Sequence, residues 1–402
     1  MKDVVVIGAG QAAASLVARL RGKGFEGKIT VFGEEPQPPY QRPPLSKAYL
    51  LGDMALERLF LRPESFYAEN DIDLHCGTRV DSVDRDAKTV AAGDQTIPYD
   101  HLVFCTGSDP RRLPAAIGGD LEGVLVVRSL ADVDAMAPRC VAGAKVLIVG
   151  GGYIGLEAAA VASKLGLKVT LVEAADRILQ RVAAPETSDY FRTLHHSHGV
   201  DLREGCGLAR LTGDGAVSGA ELSDGTTLEV DFVIVGVGIT PGSGLAEAAG
   251  LEIENGIKVD AQGRTSDPAI WAAGDCASFP AAGGQMRLES VGNAVDMAEL
   301  VADNIIGAGQ DYVAKPWFWS DQYDVKLQIA GLNTGYDRVV VRDGGDGPRS
   351  HWYYAGESLL AVDAMNDPRG YMVGKRLIEA GKSPAAEQVA DVSVELKTLL
   401  KA

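Results

Sequence analysis

The sequence has no closely spaced pair of cysteines. Its five cysteines are scattered along 402 residues, at Cys76, Cys105, Cys140, Cys206 and Cys276. A dithiol redox centre, a zinc site or an iron–sulfur cluster requires cysteines at short, regular spacings. The pattern therefore argues against all three kinds of site. Unpaired thiols favour a reducing, cytoplasmic environment.

Basic residues are scarce relative to acidic ones. Lysine and arginine number 38 against 55 aspartates and glutamates, which gives a net charge of −17. This balance disfavours nucleic acid or an anionic membrane as a partner. A long apolar run is also missing, because the best stretch, 146–163, contains several glycines and Glu157. A strand predicted at 4–7 begins so near Met1 that we expect no signal peptide.

The most informative stretch that is present is VLIVGGGYIGLEAAAVASKLGLKVTLVE, residues 146–173. It predicts a buried parallel strand, a glycine turn, a helix and a second strand. Gly150 allows the tight turn, Gly152 lets backbone approach a pyrophosphate, and Gly155 lets the helix pack closely on the strand. Glu173 follows where a carboxylate accepts hydrogen bonds from an adenosine ribose. A carboxylate there repels a 2′-phosphate, so the stretch predicts NADH rather than NADPH; the alternative is a glycine-rich turn without a nucleotide.

A second fingerprint, VVVIGAGQAAA, lies near the start of the chain. Gly8 and Gly10 occupy its first two glycine positions, and Ala13 occupies the third. The next predicted strand leads to Glu34, our choice for a ribose contact, with Glu35 as the alternative. Two fingerprints in one chain predict two bound dinucleotides.

The proline-rich stretch QPPYQRPPLSKAYL, residues 37–50, predicts a stiff, non-helical connection. It carries two cations, Arg42 and Lys47. Composition alone leaves two interpretations open: contact with a cofactor, or ordinary surface charges on a solvated loop.

Several other stretches predict particular elements. Residues 74–90 and 96–103 predict a small antiparallel insert, and 288–306 predict a long helix with Asn293 as its cap. The run DFVIVGVGI predicts a buried strand that ends in a further glycine turn, at Gly238.

Three histidines, His195, His196 and His198, cluster at a predicted helix end. Because no carboxylate or cysteine stands at ligand spacing, we expect a polar helix end and no metal.

Five motifs together resemble one family, the FAD- and NADH-dependent ferredoxin reductases of bacterial oxygenase systems. The resemblance covers essentially the whole chain. The motifs are PPYQRPPLSKAYL (38–50), GGGYIGLE (150–157), AAGD (272–275), ESV (289–291) and PWFWSDQY (316–323). The last of them is the most specific to oxygenase-type reductases.

The resemblance implies an α/β fold, with two Rossmann-like dinucleotide-binding domains of the glutathione reductase type and a C-terminal α+β domain. It divides the chain into a discontinuous FAD-binding domain (1–112 and 243–317), an NADH-binding domain (113–242) and the α+β domain (318–402). One possible role for the C-terminal α+β domain is purely structural: dimerisation or capping of the fold. The alternative is a functional role, in which this domain covers the flavin and docks a partner protein.

The resemblance also implies roles for individual residues. Lys47 and Glu157 would form an ion pair beside the flavin and serve as the catalytic pair, and Tyr153 would gate the nicotinamide pocket. FAD would be contacted by Gly8, Gly10, Ala12, Ala13, Glu34, Arg42, Lys47, Val80, Arg128, Asp275, Val291 and Trp319. NADH would be contacted by Gly150, Gly152, Tyr153, Ile154, Gly155, Glu157, Glu173, Arg181 and Gly238.

The implied activity is transfer of electrons from NADH through FAD to a [2Fe-2S] ferredoxin that serves a monooxygenase or dioxygenase. Two rival classes remain. NADH oxidases, NADH peroxidases and coenzyme A disulfide reductases carry a redox cysteine in the loop near 40–47, and this loop has none. An NADH-sensing interaction protein resembling apoptosis-inducing factor should show targeting or nucleic-acid-binding features, and the sequence predicts neither.

Overall fold

The computed structural model describes residues 2–345 and 347–401. Within them the chain forms two compact units, each built from several segments. The first unit comprises 1–42, 54–109 and 239–314, and the second comprises 43–53, 110–238 and 315–402.

The strands, numbered in chain order, are mostly short. They are β1 Val4–Ile7, β2 Ile29–Phe32, β3 Ile72–His75, β4 Ser82–Asp84, β5 Thr89–Ala92, β6 Gln95–Pro98, β7 His101–Phe104, β8 Ser108–Pro110, β9 Val124–Leu125, β10 Lys145–Val149, β11 Lys168–Val172, β12 Asp201–Arg203, β13 Leu208–Asp214, β14 Ala216–Leu222, β15 Thr227–Glu229, β16 Phe232–Val235, β17 Ile239–Pro241, β18 Ile257–Lys258, β19 Ile270–Ala272, β20 Ala277–Ala281, β21 Gly284–Met286, β22 Trp317–Gln322, β23 Val325–Gly331, β24 Arg338–Asp343, β25 Arg349–Ala355 and β26 Ser358–Met365.

The α-helices are likewise numbered in chain order. They are α1 Gln11–Gly22, α2 Glu64–Glu69, α3 Leu130–Met136, α4 Tyr153–Lys164, α5 Pro185–Ser197, α6 Gly244–Ala248, α7 Val291–Ile305, α8 Pro368–Glu379, α9 Ala386–Ala390 and α10 Leu396–Leu399. None of the helices in the described part of the chain has the length and apolar character needed to cross a membrane.

A parallel five-stranded sheet forms the core of the first unit, in the order β19-β7-β1-β2-β3. The central strands β1 and β2 are buried along their whole length, as expected for a sheet covered on both faces. Helix α1 is tied to α7 by Arg19, whose guanidinium donates to both carboxylate oxygens of Asp303 at 2.8 and 2.6 Å. The chain order reverses at β1, so the ligand crevice is expected at its carboxyl end.

The second unit repeats this arrangement in a sheet of order β12-β11-β10-β16-β9. The fingerprint strand is again the third one, and the switch point falls at its carboxyl end. This unit also contains the antiparallel sheet β22-β23-β26-β25-β24, against which α8 packs. The α/β fold with two Rossmann-like sheets and a C-terminal α+β region is thus as predicted.

The predicted antiparallel insert was too long at both ends. Antiparallel pairing covers β4, β5 and β6, within 82–98. Strands β3 and β7, which the prediction included, belong instead to the parallel sheet. Ile72 and the apolar residues of β7 are buried, and this burial draws both strands into the core rather than the insert.

The prediction of Asn293 as a helix cap was also wrong. Helix α7 begins one residue after Ser290, whose hydroxyl accepts from the Asn293 backbone N–H at 3.1 Å. The Asn293 side chain is buried and binds elsewhere, donating to Leu288 O at 3.0 Å and accepting from Tyr312 at 2.7 Å. Both residue types are good caps, but Ser290 alone stands outside the first turn.

Candidate active site

The first glycine turn, in the first unit, joins β1 to α1. Gly8 has φ +105°, and a Cβ there would lie 2.2 Å from the carbonyl oxygen of Cys105. At Gly10 no described atom lies within 4 Å of an added Cβ, so this position faces open space. None of the described side chains caps α1, so its first N–H groups can receive a phosphate. Ala12 and Ala13 are buried behind the turn.

The second glycine turn, in the second unit, has the same construction. Gly150 has φ +109°, and a Cβ there would lie 2.3 Å from Gly236 O. Gly152, the N-cap of α4, again faces space that is clear of described atoms within 4 Å. A Cβ on Gly155 would meet Gly150 O at 2.0 Å, so helix and turn can pack this closely only with glycine at 155. Both turns fit a dinucleotide pyrophosphate.

Glu173 lies beside the second turn. One carboxylate oxygen accepts from the Gly151 backbone N–H at 2.7 Å, and the other accepts from Ala175 N–H at 2.8 Å. These two bonds fix the carboxylate next to the glycine turn, as a ribose contact requires. Ile154, in the first turn of α4, is 48% exposed despite being a large apolar residue. Arg181 is also exposed, and Gly238 has φ +103°.

The acids after β2 differ in their surroundings. Glu34 is exposed and pairs with Arg79 at 3.1 Å, where both side chains are largely in solvent. Glu35 is half-buried and pairs with Arg42 at 2.6 Å, and it also accepts from Tyr40. Arg42 is therefore held in place by its own acid rather than free on a solvated loop.

Other residues predicted to contact FAD in the first unit lie around the same sheet. Asp275 follows the tight turn at Gly274, where an added Cβ would lie 3.2 Å from Ala12 Cβ. Its carboxylate accepts from Ser108 at 3.1 Å. Val80 is buried, and Val291 begins α7. The structure therefore brings the Asp275 turn against the start of α1.

Lys47, Arg128 and Trp319 lie in the second unit. Arg128 is half-buried, and its backbone N–H donates to Asp132 at 3.1 Å next to the start of α3. Trp319 stacks on Trp317 with ring centroids 5.4 Å apart.

The predicted ion pair between Lys47 and Glu157 is present. Lys47 Nζ lies 2.9 Å from Glu157 Oε1, and the two side chains are 17% and 6% exposed. Asp321 is a second, more distant partner of Lys47, at 3.7 Å. Burial raises the pKa of Glu157, whereas Lys47 and a hydrogen bond from Ser320 lower it. The pair is thus a charge site that the protein shields from water.

The segment that carries Lys47 is partly helical, contrary to the prediction for 37–50. Residues Leu45–Tyr49 form one wide turn, in which Tyr49 N–H donates to Pro44 O at 3.0 Å, five residues back. Lys47 itself departs from helical geometry, with φ −126° and ψ −107°. Prolines end at Pro44, so a helical turn can form after them. Single turns of this wide type are frequent at functional sites.

Sequence reasoning missed several polar residues around Glu157. Ser320 donates to Glu157 Oε1 at 2.8 Å, and Gln322 Nε2 donates to Ser320 Oγ at 3.1 Å. Both lie in PWFWSDQY, which was recognised as a motif but assigned only through Trp319. The available signal was alternation: 320 and 322 share one face of a strand, and both are polar.

The remaining polar clusters do not form a metal site. Across 2–345 and 347–401, no group of three or more histidine, cysteine or acidic side chains is arranged to hold a metal ion. All five cysteines are free thiols. His195 lies in the last turn of α5, as predicted, and is buried within a hydrogen-bond network.

Comparison with known proteins agrees with the family that the sequence motifs resemble. The pyridine nucleotide-disulphide oxidoreductase family model matches residues 2–298, and the Reductase C-terminal model matches residues 317–400. A ferredoxin–NAD(P)(+) reductase of a Sphingomonas species is 46% identical over 385 residues, covering 94% of this chain and 93% of the relative. Rhodocoxin reductase of Rhodococcus erythropolis is 43% identical over 400 residues, covering 98% and 93%.

The solved structures give a similar result. The covalent putidaredoxin reductase–putidaredoxin complex includes a chain that superposes with a TM-score of 0.96 at 38% identity, covering 100% of this chain and 98% of that one.

The two glycines of the second turn should respond differently to alanine. In Gly150→Ala the Cβ clashes with Gly236 O at a positive φ, so we expect a loss of at least about 2 kcal/mol in unfolding free energy. In Gly152→Ala the Cβ enters open space and only the preference for glycine at an N-cap is lost, so we expect at most about 1 kcal/mol of destabilisation but at least ~10-fold weaker NADH binding. Urea unfolding and NADH titration measure the two effects. Unimpaired NADH binding by the Gly152 variant would contradict a phosphate at this turn.

Proposed function

We propose a function for this chain on the basis that it belongs to the pyridine nucleotide-disulphide oxidoreductase family. It is an NADH-dependent flavoprotein reductase that passes electrons from NADH by way of FAD to a [2Fe-2S] ferredoxin, which in turn feeds a monooxygenase or dioxygenase. The observation that carries the proposal is the buried Lys47–Glu157 pair in a chain with two dinucleotide-type glycine turns. The relatives described above are a ferredoxin–NAD(P)(+) reductase, a rhodocoxin reductase and a putidaredoxin reductase, which supports a redoxin as the electron acceptor.

The proposed domain roles follow from the two turns. Residues 1–112 and 243–317 bind FAD, 113–242 bind NADH, and 318–402 form the C-terminal domain. The α1 turn with Gly8 and Gly10 holds the FAD pyrophosphate, while Glu34 contacts its ribose. Asp275 serves the ribityl chain, and the other FAD contacts are those named from the sequence. The chemistry that FAD would supply when bound is acceptance of a hydride from NADH and release of the electrons one at a time.

NADH binding is assigned to the second glycine turn. Gly150, Gly152 and Gly155 shape the phosphate site. The Glu173 carboxylate accepts hydrogen bonds from the ribose hydroxyls. Tyr153 gates the nicotinamide site from the first turn of α4, where burial raises the pKa of its hydroxyl well above the usual value. With its hydroxyl uncharged, the Tyr153 side chain presents a large, mostly apolar ring, which is suited to exclude water from a hydride-transfer site.

The protein's own contribution at the reacting centre is charge and orientation. The Lys47 ammonium group would stabilise the negative charge that a bound flavin gains on reduction. Glu157 orients that ammonium group through the 2.9 Å contact. Neither residue forms a covalent bond to substrate, because binding and electrostatics are all that the cofactor chemistry needs.

We also propose that the protein acts in the cytoplasm. NADH and reduced redoxins are available there, and five free thiols fit a reducing compartment.

The experiment that tests the function is steady-state NADH oxidation by the FAD-loaded protein against a panel of two-iron ferredoxins. At least one ferredoxin should raise turnover ~10-fold or more over the rate with oxygen alone. A salt series should lower kcat/KM if local charges steer the encounter, because salt screens exposed charges. Rapid NADH consumption with oxygen alone would instead favour an oxidase. Slow reduction of every acceptor, with a change of oligomeric state on adding NADH, would favour a sensor.

Lys47→Ala should slow flavin reduction by NADH about 10²-fold, because the fixed positive charge is lost from a water-shielded site. Stopped-flow absorbance measures the rate. Lys326→Ala is the matched control, since Lys326 also approaches Asp321, at 3.9 Å, but is 59% exposed. The double variant Lys47→Met with Glu157→Gln removes both charges and avoids an unpaired buried carboxylate. An unchanged rate in Lys47→Ala would remove Lys47 from the reaction.

Glu173→Ala should reduce the ratio of kcat/KM for NADH to that for NADPH by about 10-fold, because the carboxylate no longer repels a 2′-phosphate. Glu204→Ala is the control. Its carboxylate also accepts a backbone N–H of the neighbouring loop, from Ile178 at 2.8 Å, but is not assigned to the ribose. If both variants change the ratio equally, the effect comes from the loop and not from the ribose contact.

A further inference from the structure

We propose that a buried hydrogen-bond chain from Tyr323 through His195, Gln322 and Ser320 keeps the Glu157 carboxylate ionised, and thereby holds the Lys47 ammonium group in place. These four are positioning residues for the Lys47–Glu157 pair. The inference rests on the proposed function for the role of Lys47. The chain itself rests on the geometry alone.

The hydrogen bonds are consecutive. Tyr323 OH lies 3.1 Å from His195 Nδ1, and His195 Nε2 lies 2.8 Å from Gln322 Oε1. Gln322 Nε2 then lies 3.1 Å from Ser320 Oγ, which lies 2.8 Å from Glu157 Oε1. The last contact in the series is the ion pair, with Glu157 Oε1 2.9 Å from Lys47 Nζ. No step exceeds ordinary hydrogen-bond length.

The chain has a single direction when Glu157 is ionised. A carboxylate only accepts, so the Ser320 hydroxyl must donate to it. Ser320 has no second proton, so Gln322 must present its amide N–H to Ser320 and its oxygen to His195. His195 then donates from Nε2 and accepts from Tyr323 at Nδ1. Every donor is thus aimed toward Glu157, and aligned hydrogen bonds strengthen one another.

Burial makes this support necessary. His195, Ser320 and Gln322 have no exposed surface, and Glu157 is 5% exposed. Burial alone favours the neutral acid and raises the pKa of Glu157. Two groups oppose that effect directly, Lys47 and Ser320, whereas the nearby carboxylate of Asp321 adds to it. The hydrogen-bond chain therefore stabilises the negative charge of Glu157, in addition to the stabilisation that Lys47 provides.

The inner end of the chain is fixed by strand geometry. Ser320 and Gln322 are two residues apart on β22, so their side chains leave the same face of the strand. Asp321, between them, is more exposed, at 41% of its side chain, and approaches Lys47 at 3.7 Å. Polar residues at alternate buried positions of a strand are costly unless they bond, and here both do.

The outer end of the chain reaches the helix end at α5. Tyr323 occupies the two-residue turn between β22 and β23, with φ +56°, a conformation that a tyrosine seldom adopts. Its ring stacks on His198 with centroids 3.6 Å apart. Burial lowers the pKa of His195 to about 4, with smaller lowering effects from His198 and His196. At neutral pH His195 is therefore uncharged, as accepting at one nitrogen and donating at the other requires.

The test follows the protonation of Glu157 in the FAD-loaded protein by difference infrared spectroscopy over a pH series. The carbonyl band of the protonated acid is assigned by its loss in Glu157→Gln. Ser320→Ala should raise the pKa of Glu157 by about one unit, the value of a hydrogen bond to a charged group. Gln322→Met should raise it by a smaller amount, because Ser320 still donates but is no longer polarised from behind.

Two further variants separate the chain from general disturbance of the sheet. Ser320→Thr keeps the hydroxyl and should restore a pKa close to that of the unmodified protein. Ser350→Ala is the matched control, because Ser350 is equally buried on β25 and donates to a different carboxylate, Asp367, at 3.0 Å. It should leave the pKa of Glu157 unchanged.

These pKa measurements test the hydrogen-bond chain whether or not a ferredoxin proves to be the electron acceptor. A pKa that does not move in Ser320→Ala, or that moves equally in Ser350→Ala, would overturn it. A pKa that moves in Ser320→Ala but not in Gln322→Met would also overturn it, because the residues beyond Ser320 would then play no part. Failure of every ferredoxin in the panel would contradict the proposed function and leave these pKa shifts standing.

Discussion

The burial of one carboxylate, Glu157, is the constraint on which the rest of the site depends. Glu157 lies on α4, one turn beyond the glycine turn that is assigned to NADH phosphate. Its partners come from two distant segments: Lys47 from the wide helical turn after the prolines, and Ser320 from β22. An unpaired buried carboxylate would cost several kcal/mol. The three segments are therefore stable together only if their polar groups meet, and this requirement links phosphate binding to the charged centre.

A buried ion pair such as Lys47–Glu157 contributes little to the free energy of folding, but it fixes the position of its charges. Desolvation of both ions offsets most of their attraction, so an apolar pair of similar volume could stabilise the fold as well. What the ion pair adds is a fixed positive charge in a site with little water, where electrostatic effects are largest. The hydrogen-bond chain behind Glu157 serves the same purpose, because it fixes the position of the carboxylate that Lys47 contacts.

The sequence predicts what depends on local geometry, and it fails where distant side chains converge. The spacing of glycines indicated both turns, because a backbone carbonyl faces Gly8 and Gly150 in the same way. The Lys47–Glu157 pair came from family resemblance, not from spacing. The sequence predicts His195 at a polar helix end, but not its bond to Gln322, which joins residues 127 positions apart. Ser290 and Asn293 could each have capped α7, and only the packing of Asn293 around Tyr312 decides between them.

The two turns also explain why their acids occupy different places. In the first turn Ala9 stands opposite the residue after β2, and a Cβ at Gly33 would lie only 2.5 Å from Ala9 Cβ. The first acid after β2 therefore stands one residue further along, at Glu34. In the second turn the corresponding residue is Gly151, where a Cβ would come within 3.1 Å of the Glu173 carboxylate. Because Gly151 leaves that space free, Glu173 can follow β11 directly and bind the turn's backbone. The middle residue of each fingerprint is thus matched to the residue that follows the next strand: Ala9 faces Gly33, and Gly151 faces Glu173.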